Sequence, residues 1–186
     1  ILLRCRRLDG FPSVRVTVDQ AGRIEEALLN SELDVALIEG VVRHPHLIRQ
    51  PFSSYDTAAF CAPSHPLATR SPLSLDDLLT AELLLREPGS AIRDAFDSAL
   101  LLRDRCAEPA WTSVNSPALA AAAREGLGVA VLPACLTEAD VAAGRLVRLE
   151  VEGLTLRNQN QLVVHRDKTI TPPLRLFMEA VTAEEG

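Results

Sequence analysis

The sequence predicts an α/β protein in which one chain builds two lobes. Short apolar runs typical of strands alternate with patterns of helical period along almost the whole chain, which is the order found in α/β proteins. Several of these runs are nearly continuous, as in the strands of a mostly parallel sheet that helices cover on both faces. A proline-rich stretch near Pro63 and a polar stretch over 153–160 interrupt the alternation. We therefore expect two crossings, with a first lobe of residues 1–62 plus 158–186 and a second lobe of residues 63–157.

The first quarter of the chain predicts helix, strand, helix and strand in turn. Residues 1–8 carry apolar side chains at helical spacing and end at a turn cluster, while residues 14–18 alternate β-branched and polar side chains as a strand does. Apolar residues then recur on one helical face over 24–29. The nearly continuous apolar run over 33–38 predicts a buried strand.

The middle of the chain continues the alternation less regularly. Ala62–Pro66 contains two prolines, which exclude a helix and indicate a crossing or linker. Ser74 is the expected N-cap of a short helix. The elements predicted here are strands over 48–52 and 57–61, a helix over 75–79, a strand over 82–85 and a helix from 91 to about 102.

The last third predicts three helices and several strands. Ser116 is the expected cap of an alanine-rich helix over 117–125, with Pro117 at the first helical position, where its missing N–H costs nothing. Gly126 and Gly128 flank a turn into the next strand. The predicted elements are strands over 108–114 and 129–133, a helix over 136–142, strands over 146–149 and 161–165, and a helix over 172–181.

Composition excludes several classes of protein. With 186 residues, 47% of them hydrophobic and 24% charged, the chain resembles an ordinary folded domain with enough apolar material for one core or two small ones. The net charge of −6 and the absence of a basic run predict poor binding of nucleic acid by these residues alone. No apolar run reaches the roughly 20 residues that a membrane span needs. Arginines at positions 4, 6 and 7 stand where a signal peptide would be apolar, so we expect a cytoplasmic protein.

Candidate binding residues stand where predicted strands end and helices begin. Such loops meet at the carboxyl edge of an α/β sheet, where unpaired helix N–H groups suit an anionic ligand. Gly89 lets a backbone approach closely and Ser90 offers a hydroxyl, although a capped turn without a ligand role explains them equally well. The candidates are Ala21 and Gly22, Glu39 and Gly40, Glu87, Pro88, Gly89 and Ser90, Asn115 and Ser116, with Leu132 and Pro133 as a wall of the site.

Signals for catalysis, metals or cofactors are weak. His44-Pro45-His46 lacks a third ligand at a suitable spacing, and the four cysteines are scattered with no CxxC, which predicts reduced thiols and no metal site. Arg93 suits either a carboxylate counter-ion or a solvated surface position. No nucleophile elbow, phosphate-binding loop or dinucleotide fingerprint occurs. We therefore expect no catalytic residue, no cofactor and no enzymatic activity.

Six stretches of this chain resemble one family when taken in order. They are residues 11–16 (FPSVRV), 26–37 (EALLNSELDVAL), 63–68 (PSHPLA), 85–90 (LREPGS), 125–133 (EGLGVAVLP) and 143–146 (AGRL). Together they resemble the effector-binding domain of LysR-type transcriptional regulators over nearly the whole chain. The resemblance implies a fold like that of type II periplasmic binding proteins, with two Rossmann-like lobes joined by two crossover strands.

The resemblance also implies a function and partners. A small-molecule effector is expected in the cleft between the lobes, the effector domains are expected to pair as antiparallel homodimers, and intact regulators of this kind are commonly tetramers. The family's winged helix-turn-helix head, which contacts DNA, and the first strand of its effector domain have no counterpart in these 186 residues. Ala21 stands where the family often has a hydroxyl residue that contacts the effector.

Two other functions on the same bilobed scaffold stay open at this stage. One is a periplasmic-type solute-binding protein, which would need a secretion signal or lipid anchor. The other is an enzyme such as a dehydratase acting on a cyclic acid, which should show a catalytic Thr or acid at the cleft. The ligand is also open, because helix N-termini favour a carboxylate or phosphate whereas an acidic chain with few arginines suits a neutral aromatic equally well.

Overall fold

A computed structural model describes residues 3, 11, 13–42 and 44–183. The chain divides into two compact units, Ile1–Ser54 with Gln159–Gly186 and Tyr55–Asn158, so the polypeptide passes between them twice. Both passages occur within long strands, β2 (Leu47–Cys61) and β7 (Leu156–His165). The first therefore falls earlier in the chain than the proline-rich segment to which the sequence analysis assigned it.

The first unit packs helices on both faces of a small sheet. Helix α1 (Ala21–Leu29) precedes β1 (Ala36–Glu39), which pairs antiparallel with the last part of β7, and α6 (Pro172–Thr182) follows β7. Successive side chains of a strand point to opposite faces. Val163 accordingly packs with Leu28 below α1, whereas its neighbours Leu162 and Val164 pack with Val181 of α6.

The second unit is a sheet in the order β2-β5-β3-β4, with β6 also on β2. Strand β3 runs parallel to both β4 and β5, while β2 is antiparallel to β5 and β6. The strands are β3 (Leu83–Arg86), β4 (Pro109–Ser113), β5 (Val129–Pro133) and β6 (Val147–Leu149). The helices are α2 (Leu75–Leu79), α3 (Ala91–Leu101), α4 (Ser116–Arg124) and α5 (Ala134–Ala142), with a 3₁₀ helix at Pro66–Thr69.

Helices also cover both faces of this second sheet. Leu83 and Leu85 pack with Phe96 of α3, whereas the intervening Leu84 packs with Leu119 of α4. The apolar run at 83–85 is therefore buried on both sides, as predicted for a parallel strand. No helix in the described part of the chain is both long and apolar enough to cross a bilayer.

Several predicted elements differ in the structure. The strand predicted over 14–18 is not formed, and its side chains are exposed, Val18 by 92%. A β-branched run becomes a strand only where its backbone finds a partner, and no described strand pairs with it. The strands predicted over 48–52 and 57–61 are one strand, and Ala62–Pro66 forms a turn that enters the 3₁₀ helix. The helix predicted over 1–8 lies outside the described residues, apart from Leu3.

The cap predicted at Ser74 is present and gives the first testable outcome. The Ser74 hydroxyl accepts a hydrogen bond from the backbone N–H of Asp77 at 3.0 Å, and the Asp77 carboxylate accepts one from the backbone N–H of Ser74 at 3.3 Å. We expect Ser74→Ala to lower the free energy of unfolding by about 1 kcal/mol, since an N–H loses its acceptor. Urea denaturation measures this, with Ser98→Ala on the exposed face of α3 as the control that should change nothing.

Candidate functional site

The carboxyl ends of three strands bring most of the candidate residues to one edge of the second unit. Because β3, β4 and β5 run in the same direction and lie side by side, the loops that follow them emerge at the same edge. Glu87 to Ser90 follow β3, Asn115 and Ser116 follow β4, and Pro133 ends β5. The structure thus places seven of the predicted residues on or beside one edge of a sheet.

Ser90 occupies the N-cap position of α3, but its hydroxyl accepts no hydrogen bond from the helix backbone. It precedes α3 with extended backbone angles, and the preceding Gly89 has φ +84°, in the left-handed region that favours glycine. The Ser90 side chain is buried, with the residue 8% exposed, and its Oγ makes no hydrogen bond within the described part of the chain. A buried hydroxyl without a partner costs about 1–3 kcal/mol, so this one requires an explanation.

Arg86 connects two of the loops. Its guanidinium donates to both carboxylate oxygens of Glu87, at 2.8 and 3.0 Å, and to the Ser116 hydroxyl at 2.8 Å. Burial opposes ionisation of Glu87, but the hydrogen bonds from Arg86 outweigh it and hold the pKa of that carboxyl below its ordinary value. Glu87 is therefore a charged group that orients the Arg86 guanidinium. The hydrogen bond from Arg86 to Ser116 connects that guanidinium to the start of α4.

Asn115 and Arg93 both have structural partners. The Asn115 side chain accepts a hydrogen bond from the backbone N–H of Ala118 at 3.1 Å, so Asn115 is the N-cap of α4 and Ser116, predicted as the cap, is its first residue. Arg93 donates to the Asp97 carboxylate at 2.7 Å and to the carbonyl of Arg86. The prediction of a solvated Arg93 is wrong, because its side chain is largely buried. Of the capping positions at this edge, Ser90 alone among the described residues lacks a partner for its side chain.

Leu132 does not line a surface. It is fully buried in the core with Leu84 and Leu119, while Pro133 is half-buried and pairs with Thr57 across β2 and β5. The sequence analysis took both as a wall of the site. The alternation along β5 turns the Leu132 side chain into the core, so only Pro133 keeps an exposed surface.

The candidates of the first unit lie at the starts and ends of its elements. Ala21 and Gly22 are the first residues of α1, and a Cβ added at Gly22 would meet no atom within 4 Å. Glu39 ends β1, and Gly40 follows with φ +91° and donates its N–H to the carbonyl of Gln159 at 2.9 Å. Ala21 and Gly22 thus begin a helix but follow no strand in the described part of the chain, whereas Glu39 and Gly40 end a strand with no helix directly after it.

A buried polar pair beside Ser90 escaped the sequence analysis. The Thr57 hydroxyl donates to Oδ1 of Asn158 at 3.0 Å, and Nδ2 of Asn158 donates to the carbonyl of Ala91 at 3.0 Å. Thr57 is 4% exposed and Asn158 is 3% exposed. Asn158 lies on the same face of β7 as the buried Leu156, so a polar residue at an apolar position was the available signal. The pair fixes the first residue of α3, and hence the position of Ser90.

Comparison with known proteins identifies the family. The family model of the LysR substrate-binding domain matches residues 4–185. The HTH-type transcriptional regulator YeiE of Escherichia coli is 31% identical over 166 residues, which cover 89% of this chain and 56% of that protein. The RuBisCO operon transcriptional regulator of Allochromatium vinosum is 28% identical over 171 residues, which cover 92% and 57%.

Solved structures share the fold. The regulatory domain of Synechocystis CcmR in complex with 2-PG has a TM-score of 0.81 at 20% identity, covering 92% of this chain and 82% of that one. The effector-binding domain of QuiR in complex with shikimate has a TM-score of 0.77 at 17% identity, covering 88% and 77%. The fold is thus that of type II periplasmic binding proteins. This chain spans about half the length of the curated relatives that it matches, and it belongs to the LysR substrate-binding domain family.

Proposed function

We propose that this chain is the effector-sensing part of a LysR-type transcriptional regulator and that it binds a small anionic metabolite. The proposed ligand groups are the loop ends at Ala21–Gly22, Glu39–Gly40, Glu87–Ser90 and Asn115–Ser116, together with Pro133. The unpartnered Ser90 hydroxyl at the start of α3 carries this proposal.

The chemistry of that position favours an anion. The first N–H groups of a helix have no partner within it, and the helix dipole adds a partial positive charge. Gly89 removes a side chain that would shield them, and a Cβ there would meet nothing within 4 Å. A carboxylate or phosphate oxygen placed here would accept from Ser90 Oγ and from backbone N–H groups together. A neutral aromatic ligand without an acceptor atom at this position would leave the buried hydroxyl unpaired.

The relatives support the wider setting of this proposal. They are transcriptional regulators, so we propose that the intact protein contacts DNA through a separate head, acts in the cytoplasm and catalyses no reaction. We also propose a homodimer of these domains. Strand β4 forms one edge of the second unit's sheet and leaves Trp111 half-exposed there, which suits an apolar contact with another subunit.

Ligand binding regulates transcription only if it favours one arrangement of the intact protein over another. A ligand shifts such an equilibrium by no more than the difference in its affinity for the two states. Ser90 and the start of α3 belong to one unit, while α1 and β1 belong to the other. We propose that the ligand binds one arrangement of the intact protein more tightly than the other.

Thermal shift assays with a panel of carboxylates, phosphorylated acids and neutral aromatics, including 2-PG and shikimate, test the proposal. A panel compound present at 100 times its Kd should add about 2.7 kcal/mol of stability, which raises the Tm by roughly 5–10 °C for a chain of this size. We expect the shift from acids and from no neutral aromatic. A panel in which only neutral compounds raise the Tm would contradict the anionic site.

The variant Ser90→Ala separates binding from folding. We expect it to abolish most of the ligand-induced Tm shift while leaving the stability of the free protein unchanged or higher by about 1 kcal/mol, because it removes a buried unpaired hydroxyl. The matched control is Ser98→Ala, an exposed serine on the same helix, which should retain the full shift. If the active compound raises the Tm of Ser90→Ala and of Ser98→Ala equally, Ser90 does not contact the ligand.

A further inference from the structure

We propose that His46, His165 and Asp167 form a binding site in the first unit for a divalent transition metal ion such as Zn²⁺. The site does not depend on the proposed effector function. It belongs to a different part of the molecule from Ser90, because all three residues lie in the unit formed by the two ends of the chain.

The structure brings together residues that are distant in the sequence. His46 immediately precedes β2, His165 is the last residue of β7, and Asp167 lies in the turn that follows. One potential ligand atom from each of the three lies within 4.8 Å of those from the other two. The sequence around His44-Pro45-His46 offers no third ligand at a suitable spacing. In the structure, two further potential ligands, His165 and Asp167, come from the other end of the chain.

The backbone holds this arrangement in place. The N–H of Arg166 donates to the carbonyl of His46 at 2.8 Å, which ties the segment before β2 to the segment after β7. The imidazole rings of His46 and His165 are parallel within 2°, with centroids 6.0 Å apart. The N–H of Asp167 donates to Nδ1 of His165 at 3.2 Å, and the Asp167 carboxylate lies 4.0 Å from the same nitrogen. One nitrogen of each imidazole and one carboxylate oxygen of Asp167 lie within 4.8 Å of one another.

This ligand set matches the preferences of borderline metals. Zn²⁺ takes imidazole nitrogen and carboxylate oxygen at about 2.0–2.2 Å in tetrahedral geometry, which places ligand atoms roughly 3.4 Å apart. The present separations exceed that by up to about 1.4 Å, and the exposed side chains of His46 and Asp167 can rotate to close this difference. Water would complete the fourth position. Mg²⁺ and Ca²⁺ prefer all-oxygen sites and should bind poorly.

Two cationic side chains, Arg166 and Lys168, flank Asp167 in the sequence, and the Lys168 ammonium is paired with the Asp34 carboxylate at 2.5 Å. His44 packs beside His46, with ring centroids 5.6 Å apart, and its Nδ1 accepts the His46 backbone N–H. Three of the four histidines of the chain, His44, His46 and His165, are thus in contact or close to one another. A bound ion would fasten the start of β2 to the end of β7.

Zn²⁺ titration observed by NMR of the imidazole nitrogens tests the site directly. With four histidines, the resonances can be assigned by single substitution. We expect one equivalent of Zn²⁺ at pH 7 to shift the signals of His46 and His165 and to leave those of His65 in place. Cys106 and Cys135 are exposed thiols, so both are replaced by serine throughout. Equal shifts at His65, or none at His46 and His165, would overturn the proposal.

Calorimetric titration of variants with Zn²⁺ provides the second measurement. We expect His165→Gln and Asp167→Asn each to raise the Kd for Zn²⁺ roughly tenfold or more, since each removes a ligand. Asp167 is highly exposed, so its replacement leaves folding intact if His165→Gln does not. The control is His65→Asn, which keeps an acceptor for the Leu67 N–H and should retain the Kd. A Kd for Asp167→Asn and His165→Gln within twofold of the parent overturns the site.

Discussion

Gly128→Ala is expected to lower the free energy of unfolding by roughly 2–6 kcal/mol, which approaches the whole stability of an ordinary domain. Gly128 has φ +151°, and a Cβ built there would lie 2.2 Å from the backbone carbonyl oxygen of Glu82. That oxygen accepts the N–H of Val129 at 2.9 Å as β5 begins beside β3. The substitution therefore strains the backbone and forces apart the two central strands of the second unit.

Urea denaturation followed by circular dichroism measures the effect, with Gly89→Ala as the matched control. Gly89 also has a positive φ, of +84°, but a Cβ there would meet nothing within 4 Å. It should cost only the left-handed backbone penalty of about 1–2 kcal/mol. Equal losses at the two positions would show that backbone conformation alone, and not the contact with Glu82, explains the requirement for glycine at 128.

The sequence predicted the elements of the second unit well because their signals are local. The apolar runs at 83–85 and 129–133 are buried on both faces, and the helix at 91–102 is bounded by Gly89 and Ser90 on one side. Each of these features is decided by neighbours within a few residues. A strand inside a sheet has apolar side chains on both faces, so its composition alone predicts that it is buried.

Sequence patterns predicted strands wrongly where strand formation depends on pairing with a second backbone. Val14, Val16 and Val18 have the alternation of a strand, but a strand exists only where a second backbone meets it, and that partner is not encoded in the pattern. The structure divides the units within β2 and not at the proline-rich segment, for a similar reason. A long strand such as β2 can leave one unit and enter another without any break in its backbone geometry, so composition does not mark the passage.

In the candidate site, too, the residues that the sequence predicted depend on local signals, and the residues that it did not predict depend on distant contacts. Ser90 was predictable because a strand end, a glycine and a hydroxyl residue stand together in the sequence. Asn158 and Thr57 are 101 residues apart, and His46 meets Asp167 only after the chain has returned through β7. Contacts between residues so far apart in the sequence are fixed by the topology of the fold, so no short stretch of sequence predicts them. Local signals predicted where a ligand could be held, and the structure adds what holds that position in place.

Asn158→Leu is expected to lower the free energy of unfolding by roughly 2–4 kcal/mol. The substitution keeps the number and branching of the side-chain heavy atoms, but it leaves the buried Thr57 hydroxyl without its partner, at about 1–3 kcal/mol, and removes the hydrogen bond to the part-buried carbonyl of Ala91, at about 1 kcal/mol. Because Ala91 follows Ser90, loss of this bond should also loosen the start of α3. Hydrogen exchange of the first α3 amides measures that loosening, and urea denaturation measures the stability.

A double-mutant cycle with Thr57→Val distinguishes the polar pair from simple packing. In the Asn158→Leu background the Thr57 hydroxyl is already unpaired, so replacing it with a methyl group should cost little or even stabilise the protein. In the parent, Thr57→Val leaves Asn158 Oδ1 without its donor and should cost about 1–3 kcal/mol. The difference between the two costs is the coupling energy, expected at about 0.5–3 kcal/mol. A coupling energy of zero would mean that the hydrogen bond between Thr57 and Asn158 does not stabilise the fold, and that the position of Ser90 is fixed by the packing of α3 alone.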